Sequence, residues 1–211
     1  MEGYKLRRSY DVPFRISPVS QVMSVSVSLA AAFQNYRLRH PEEAFTSAQF
    51  IQFLNSAPGV FLREHATGHF TGSAWLVSAD GERVLLTHHR KLGHWLQLGG
   101  HADGDVELAR VALREAEEES GLDGLQVDDD IFDLDCHLIP ARGNESEHWH
   151  YDVRYVVRAT HNECFIVSDE SLDLAWKPIR AIAADMQADA SLQRMARKWL
   201  DKINRSAPVL D

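Results

Sequence analysis

Arg114-Glu115-Ala116-Glu117-Glu118-Glu119-Ser120-Gly121-Leu122 is the stretch whose reading decides the fold. It closes a segment expected to be helical from about Val106 to Ser120. Asp105 is placed to cap the start and Gly121 to end it. Helix positions three and four apart share a face, so Glu115, Glu118 and Glu119 fall within an arc of roughly 100°. Like charges so placed repel by about 0.2–0.5 kcal/mol per pair. Hard divalent cations seek such sets of oxygens, and Mg²⁺ is typically held by a few carboxylates plus substrate phosphates. Taken alone, the acidic run reads as a solvated helix face; its surroundings change that.

Upstream, Phe70–Val77 reads as a strand, Asp80-Gly81 as a hairpin turn and Arg83–Thr87 as the return strand. A basic loop, His88-His89-Arg90-Lys91, follows. Trp95–Leu98 is a short strand leading into Gly99-Gly100. Further strands are expected at 131–138, 149–159 and 172–177, and an amphipathic helix near 188–203. Strands mixed with helices on this scale indicate an α/β sandwich. Before it, 24–36 and 43–55 look like two helices. In the second, Phe45, Phe50, Ile51 and Phe53-Leu54 form the apolar stripe. Residues 1–22 lack periodicity and are expected to be a dispensable arm, with Met23 offering an internal start. The expected organisation is an arm (1–22), a helical extension (23–67) and one α/β domain (68–205).

The glycines and charges around the acidic run resemble the Nudix motif. That motif runs Gly, five residues, Glu, seven residues, Arg-Glu, an aliphatic, any residue, Glu-Glu, any residue, Gly and an aliphatic. Gly100, Arg114-Glu115, Glu118-Glu119, Gly121 and Leu122 match it over 23 residues. The resemblance covers about 68–203, including the strand hairpin and Trp176-Lys177-Pro178 before a late helix. There are two departures. The first Glu of the motif is Val106, flanked by Asp105 and Glu107, either of which could stand in for it. The aliphatic after Arg-Glu is Ala116.

The resemblance implies a Nudix-type α/β/α sandwich with a mixed sheet, preceded by the helical extension. It also implies hydrolysis of a diphosphate linkage in a nucleoside diphosphate derivative, with Mg²⁺ or Mn²⁺ as cofactor. Carried over by position, Glu115, Glu118 and Glu119 are metal ligands together with the Gly99 carbonyl, and Arg114 orients a glutamate. The metal would neutralise charge on phosphate oxygens and lower the pKa of the attacking water. The general base and the substrate stay open.

His148-Trp149-His150-Tyr151-Asp152-Val153-Arg154-Tyr155 alternates two faces as a strand. Trp149, Tyr151, Val153 and Tyr155 read as core. His148, His150, Asp152 and Arg154 are either an ordinary solvated face or the lining of a substrate cleft, with Arg154 on phosphate or the histidines and Asp152 on metal. His101, next to Gly100, could join them. That glycine–histidine pair is also locally similar to isopentenyl-diphosphate isomerases, which share the fold and use histidine ligands. Arg90 and Lys91 are further candidates for substrate phosphate. His65 and His69 are read as structural. Two readings compete with the hydrolase: a nucleotide-binding module without turnover, kept alive by Val106, and an isomerase of an isoprenoid diphosphate.

Composition is that of a globular protein: 211 residues, 45% hydrophobic, 25% charged and a formal net charge of -9 at pH 7. An acidic chain repels nucleic-acid backbones and anionic membranes, but it can bind a small anion bridged by a divalent cation, which the resemblance implies to be a nucleotide or other diphosphate. A homodimer is left open. Lys5, Arg7 and Arg8 precede a semi-apolar stretch from Val22 to Phe33, but Ser24, Ser26 and Ser28 interrupt it, which argues against a signal peptide. Cys136 and Cys164 have no ligand spacing. Together these features favour a cytoplasmic protein.

Overall fold

A computed structural model describes residues 18–90, 93–143, 145–167 and 171–206. Helix α1 (Pro18–Arg39) and a single 3-10 turn (Pro41–Glu43) lead into α2 (Ala44–Leu54). Seven strands follow: β1 (Gly68–Val77), β2 (Arg83–His89), β3 (Trp95–Leu96), β4 (Leu98–His101), β5 (Gln126–Ile139), β6 (His148–Arg158) and β7 (Ser171–Pro178). Helix α3 (Leu108–Ser120) lies between β4 and β5, and α4 (Ile179–Ala184) and α5 (Ala190–Ser206) close the chain.

The sheet is mixed. Its main path is β3-β2-β1-β6-β5; β4 adds to β1 and β7 to β2. Only β1 and β6 run parallel, pairing Gly68 with Trp149 through Val77 with Arg158. Asp80-Gly81 makes the expected turn between β1 and β2, with Gly81 at positive φ. Even-numbered β1 residues pack on one face and odd-numbered ones on the other, as strand alternation requires. Phe70 joins a core with Phe33 of α1, Phe50 and Phe53 of α2 and Val111 of α3. Ala74 and Leu76 pack with Ala116 of α3. Trp75 and Val77 pack with Ile179 and Ile182 of α4 and Met195 and Trp199 of α5. Helices therefore cover both faces in an α/β/α sandwich, and the two N-terminal helices share the face of α3.

Several expectations are corrected. Within the described residues the first helix already runs from Pro18, so residues 18–22 are helix rather than arm. Residues 1–17 lie outside the described residues. In α2 the inward stripe is Ser47, Phe50, Phe53 and Leu54, while Phe45 is 77% exposed. The Ser47 hydroxyl donates to the Phe33 carbonyl at 2.8 Å, so a polar residue at that position ties α2 to α1. Trp95–Leu98 is broken at Gln97, and Gly99-Gly100 are themselves strand, paired with Ser73 and Gly72. Strand β5 begins five residues before the expected 131, with irregular register near Ile131. Trp149, read as core, is 42% exposed at the start of β6. Cys136 and Cys164 are free, and no described helix is long and apolar enough to cross a membrane.

Candidate active site

Helix α3 begins at Leu108, not Val106. Its N-cap is Glu107, without a side-chain cap bond. Asp105 instead accepts the Glu107 amide at 3.0 Å and a two-pronged bond from Arg110, at 2.9 and 2.6 Å. Its carboxylate is thus engaged at the helix entrance, and Val106 packs against the first core. At the other end Gly121 takes a left-handed conformation, φ 67°, and its amide closes on the Glu117 carbonyl at 2.8 Å.

The apolar side of α3 fixes where its carboxylates go. Leu108, Val111, Ala112, Ala116 and Ser120 are buried against the sheet. Glu115 and Glu119 are left half-buried at the margin beside β4, and Glu118 is exposed. The Gly99 amide donates to a Glu119 carboxylate oxygen at 2.7 Å. A Cβ on Gly100 would meet the Glu115 carboxylate at 2.3 Å, so only glycine lets β4 pass so close to it. Arg114 donates to Glu115 at 2.7 Å and to the His101 carbonyl at 3.1 Å. The motif residues Gly99, Gly100, Arg114, Glu115 and Glu119 are thereby brought into one contact set, with Glu118 one turn from Glu115 on the same helix face. Half-exposed hard oxygens, with a glycine cradle and one organising arginine, fit Mg²⁺ or Mn²⁺.

The face of the sheet opposite α3 carries a polar stripe in register. From the open end, His69 of β1 pairs with His150 of β6, Thr71 with Asp152, and Ser73 with Arg154. Strand β5 sets His137, Asp135 and Asp133 beside His150, Asp152 and Arg154. The structure corrects both earlier readings of Asp152 and Arg154, which assumed an open face. The Arg154 side chain is 3% exposed and bonds Asp152 at 2.7 Å, Asp133 at 3.0 Å and Asp135 at 2.7 Å. Asp152 further accepts Thr71 at 2.9 Å and Ser73 at 2.7 Å. Helix α5 completes the network: Arg194 and Lys198 reach Asp133 at 2.7 and 2.6 Å. Burial pushes the Asp133 carboxyl up. The Arg194 bond and the charges of Arg154 and Lys198 outweigh burial and hold it below the usual carboxylate range. Arg154, committed to three carboxylates, is a fastener of the fold and is not exposed to phosphate.

The histidines of the stripe behave differently. His148 and His150 are half-buried, with their Nε2 atoms 3.3 Å apart. The ring of His101 lies 4.9 Å from that of His69 and 5.1 Å from that of His150. His69, read as structural, is 2% exposed, and neither ring nitrogen has a hydrogen-bond partner among the described residues. Burial first, then neighbouring imidazoles, push His69 down to about 4 and His150 to about 3. The signal in the sequence is the alternation His69, Thr71, Ser73, a polar face on a strand otherwise rich in apolar residues. His65 is structural as read: its Nδ1 pairs with the Gly68 carbonyl at 2.8 Å. Arg90 is exposed in the turn after β2, and Lys91 lies outside the described residues. Two surface cavities, of about 340 and 700 Å³, are lined by neither the α3 glutamates nor the histidines; the larger runs past Trp95, Lys177 and Leu192.

No match was found among curated proteins. Among solved structures the chain is similar to a C. elegans Ap4A hydrolase in a binary complex, at 16% identity and a TM-score of 0.52, covering 64% of this chain and 98% of that one. It is also similar to the E. coli dihydroneopterin triphosphate pyrophosphohydrolase, at 16% identity and a TM-score of 0.49, covering 63% and 95%. The NUDIX domain of Shewanella oneidensis NrtR complexed with ADP ribose aligns at 19% identity and a TM-score of 0.45, covering 74% and 97%. At such identities the likeness concerns fold. The family model described as NUDIX domain matches residues 69–199, from the second residue of β1 to the core tryptophan of α5. With that match over most of its length, and with the glycine cradle and carboxylates of α3 in place, the chain belongs to the NUDIX domain family.

Proposed function

We propose that this protein is a divalent-metal-dependent hydrolase that cleaves a diphosphate linkage in a nucleoside diphosphate derivative. The observation that carries this reading is the approach of β4 to α3, in which Gly99 and Gly100 contact the carboxylates of Glu119 and Glu115. In the reaction, water adds to one phosphorus, the bridging P–O bond breaks, and two phosphate products leave. Glu115, Glu118, Glu119 and the Gly99 carbonyl would hold Mg²⁺ or Mn²⁺. When bound, the cation supplies charge neutralisation on phosphate oxygens and a more acidic water. Arg114 keeps the Glu115 carboxylate oriented. Arg90 and Lys91 are proposed to reach the substrate phosphates. His101 of β4 and His148 and His150 of β6 lie on the opposite face of the sheet from these carboxylates. The cytoplasm is the proposed location.

A second reading, nucleotide binding without turnover, is favoured by one observation. At the motif's first Glu position Val106 turns into the core, and the neighbouring Asp105 is held by Arg110. A panel of nucleoside triphosphates, nucleotide sugars, dinucleoside polyphosphates, CDP-alcohols and isopentenyl diphosphate, incubated with Mg²⁺ or Mn²⁺, separates the readings. Phosphate release that disappears in Glu118→Gln supports the hydrolase. Saturable binding of a nucleotide with no product supports the binding module, and conversion without phosphate release supports an isomerase.

A further inference from the structure

We propose that His69, His101 and His150, with His148 beside them, form a second metal site, one that takes a nitrogen-preferring divalent cation of the Zn²⁺ class and is separate from the carboxylates of α3. One ring nitrogen from each of His69, His101 and His150 lies within 4.8 Å of the others. A cation about 2.0–2.1 Å from each nitrogen sets them roughly 3.4 Å apart in a tetrahedral arrangement. The Nε2 atoms of His148 and His150 already stand at 3.3 Å, and small side-chain rotations bring in the others.

The strongest observation is His69. It is 2% exposed and has both ring nitrogens unpartnered among the described residues. A buried polar group left unsatisfied is costly, and buried side-chain polar atoms almost always find a partner. A cation on one nitrogen removes the anomaly where it is sharpest. His148 supplies a second sign. Its Nδ1 is 2.8 Å from the Ser146 carbonyl and must donate to it, which leaves the Nε2 lone pair aimed toward His150. That is how outer-shell partners orient metal-bound histidines. Arg63 Nη2 can only donate to His101 Nδ1, 3.3 Å away, so ligation through His101 Nε2 has to move the ring proton to Nδ1 and break this contact, leaving Arg63 on Asp103, which it holds at 2.8 and 3.0 Å.

Ligand chemistry sets the choice of ion. Imidazoles suit Zn²⁺, Fe, Ni and Cu, whereas Mg²⁺ seeks oxygen. The nearest carboxylate of the stripe, Asp152, is engaged by Arg154, Thr71 and Ser73. On β4, Gly100 faces the α3 glutamates and His101 the opposite side, so the two metal preferences are divided by one strand. A bound ion would tie β4 to β1 and β6, and so fix the strand whose Gly99 amide holds Glu119.

The site is tested on the full chain stripped with a chelator, by calorimetric titration with Zn²⁺ in the presence of millimolar Mg²⁺. The expected result is a single Zn²⁺ per chain that excess Mg²⁺ does not displace. His150→Phe and His69→Phe keep an aromatic ring without nitrogens and should weaken Zn²⁺ binding by about 100-fold or more. Circular dichroism of the metal-free variants establishes which are folded; if His69→Phe is not, His148→Phe takes its place beside His150→Phe. Glu118→Gln should bind Zn²⁺ like the parent, whether or not the chain proves to be a hydrolase. Absence of Zn²⁺ binding in the parent, unaltered affinity in the folded histidine variants, or loss of binding in Glu118→Gln would each overturn the proposal.

Discussion

Ala116 stands where the Nudix motif has a larger aliphatic, and its surroundings explain the small side chain. It is fully buried between Ala74, Leu76, Leu98 and Leu122, with α3 resting closely on β1. The departure is therefore one of volume, with the packing role retained. Ala116→Ile is expected to destabilise the fold by about 1–3 kcal/mol through overpacking, read as a lower denaturant midpoint. An unchanged midpoint would mean that the helix rides further from the sheet than described. The glutamates one turn on are different in kind: Glu118 is exposed, and Glu119 accepts the Gly99 amide through an oxygen that a glutamine retains. Glu118→Gln and Glu119→Gln are expected to lower turnover by about 100-fold or more while the circular dichroism spectrum is preserved. Full activity of both under saturating Mg²⁺ would remove the carboxylate face from the chemistry.

Strand β6 marks the boundary of what could be read from the chain. Its position, its alternation and the inward aromatic side of Tyr151, Val153 and Tyr155 follow from period-two spacing. So do the α3 carboxylate face and its end at Gly121, because caps and periodicity are local properties. The fate of Arg154 was not legible, because it depends on partners 19 to 41 positions away: Asp135, Asp133 and Met195. The histidine cluster was only half legible for the same reason: His148 and His150 are neighbours in sequence, but His69 and His101 arrive through the pairing of three strands. The Arg154 network makes a prediction of its own. Asp133 and Asp152 are both held below the ordinary carboxylate pKa of about 3.9. A depressed folded-state pKa contributes stability that is fully present above the unfolded value and is lost as pH falls through the folded one. Stability should therefore be flat above about pH 5 and drop below about pH 4. Asp133→Asn leaves Arg154, Arg194 and Lys198 without the negative charge they share. It should cost about 3–5 kcal/mol at neutral pH and make the acid limb shallower. Equilibrium denaturation of both proteins from pH 3 to 8 measures the two effects, and an acid limb of unchanged slope would assign it to other carboxylates.

The α/β sandwich and the N-terminal helices share one hydrophobic core, and this governs what truncation should do. The NUDIX match begins at residue 69, yet the core under α3 is closed by residues before it. Leu29, Phe33 and Tyr36 recur at spacings of four and three on α1, and Phe50, Phe53 and Leu54 on α2, all buried. Phe53 stacks on Tyr151 of β6 with ring centroids 3.7 Å apart, and Phe33 and Phe50 lie about 6.2 Å from Phe70 of β1. Polar contacts fasten the same helices at the other edge. Lys198 of α5 reaches Glu43 and the Tyr36 hydroxyl, each at 2.6 Å, as well as Asp133. Burying each of the three phenylalanines is worth about 1.5–3 kcal/mol, so together they rival the whole net stability of a domain, about 5–15 kcal/mol. A chain starting at residue 68 would expose Phe70, Tyr151 and Val111 on one face and leave Lys198 with one carboxylate fewer. It is expected to be insoluble or to bind hydrophobic dye without a cooperative melt. Removal of residues 1–17, by contrast, leaves α1 from Pro18 onward intact and should change the melting midpoint little. If the chain starting at residue 68 melts cooperatively near the parent's midpoint, the helical extension is a separable accessory, and the shared core is not what holds α3 and its carboxylates in place.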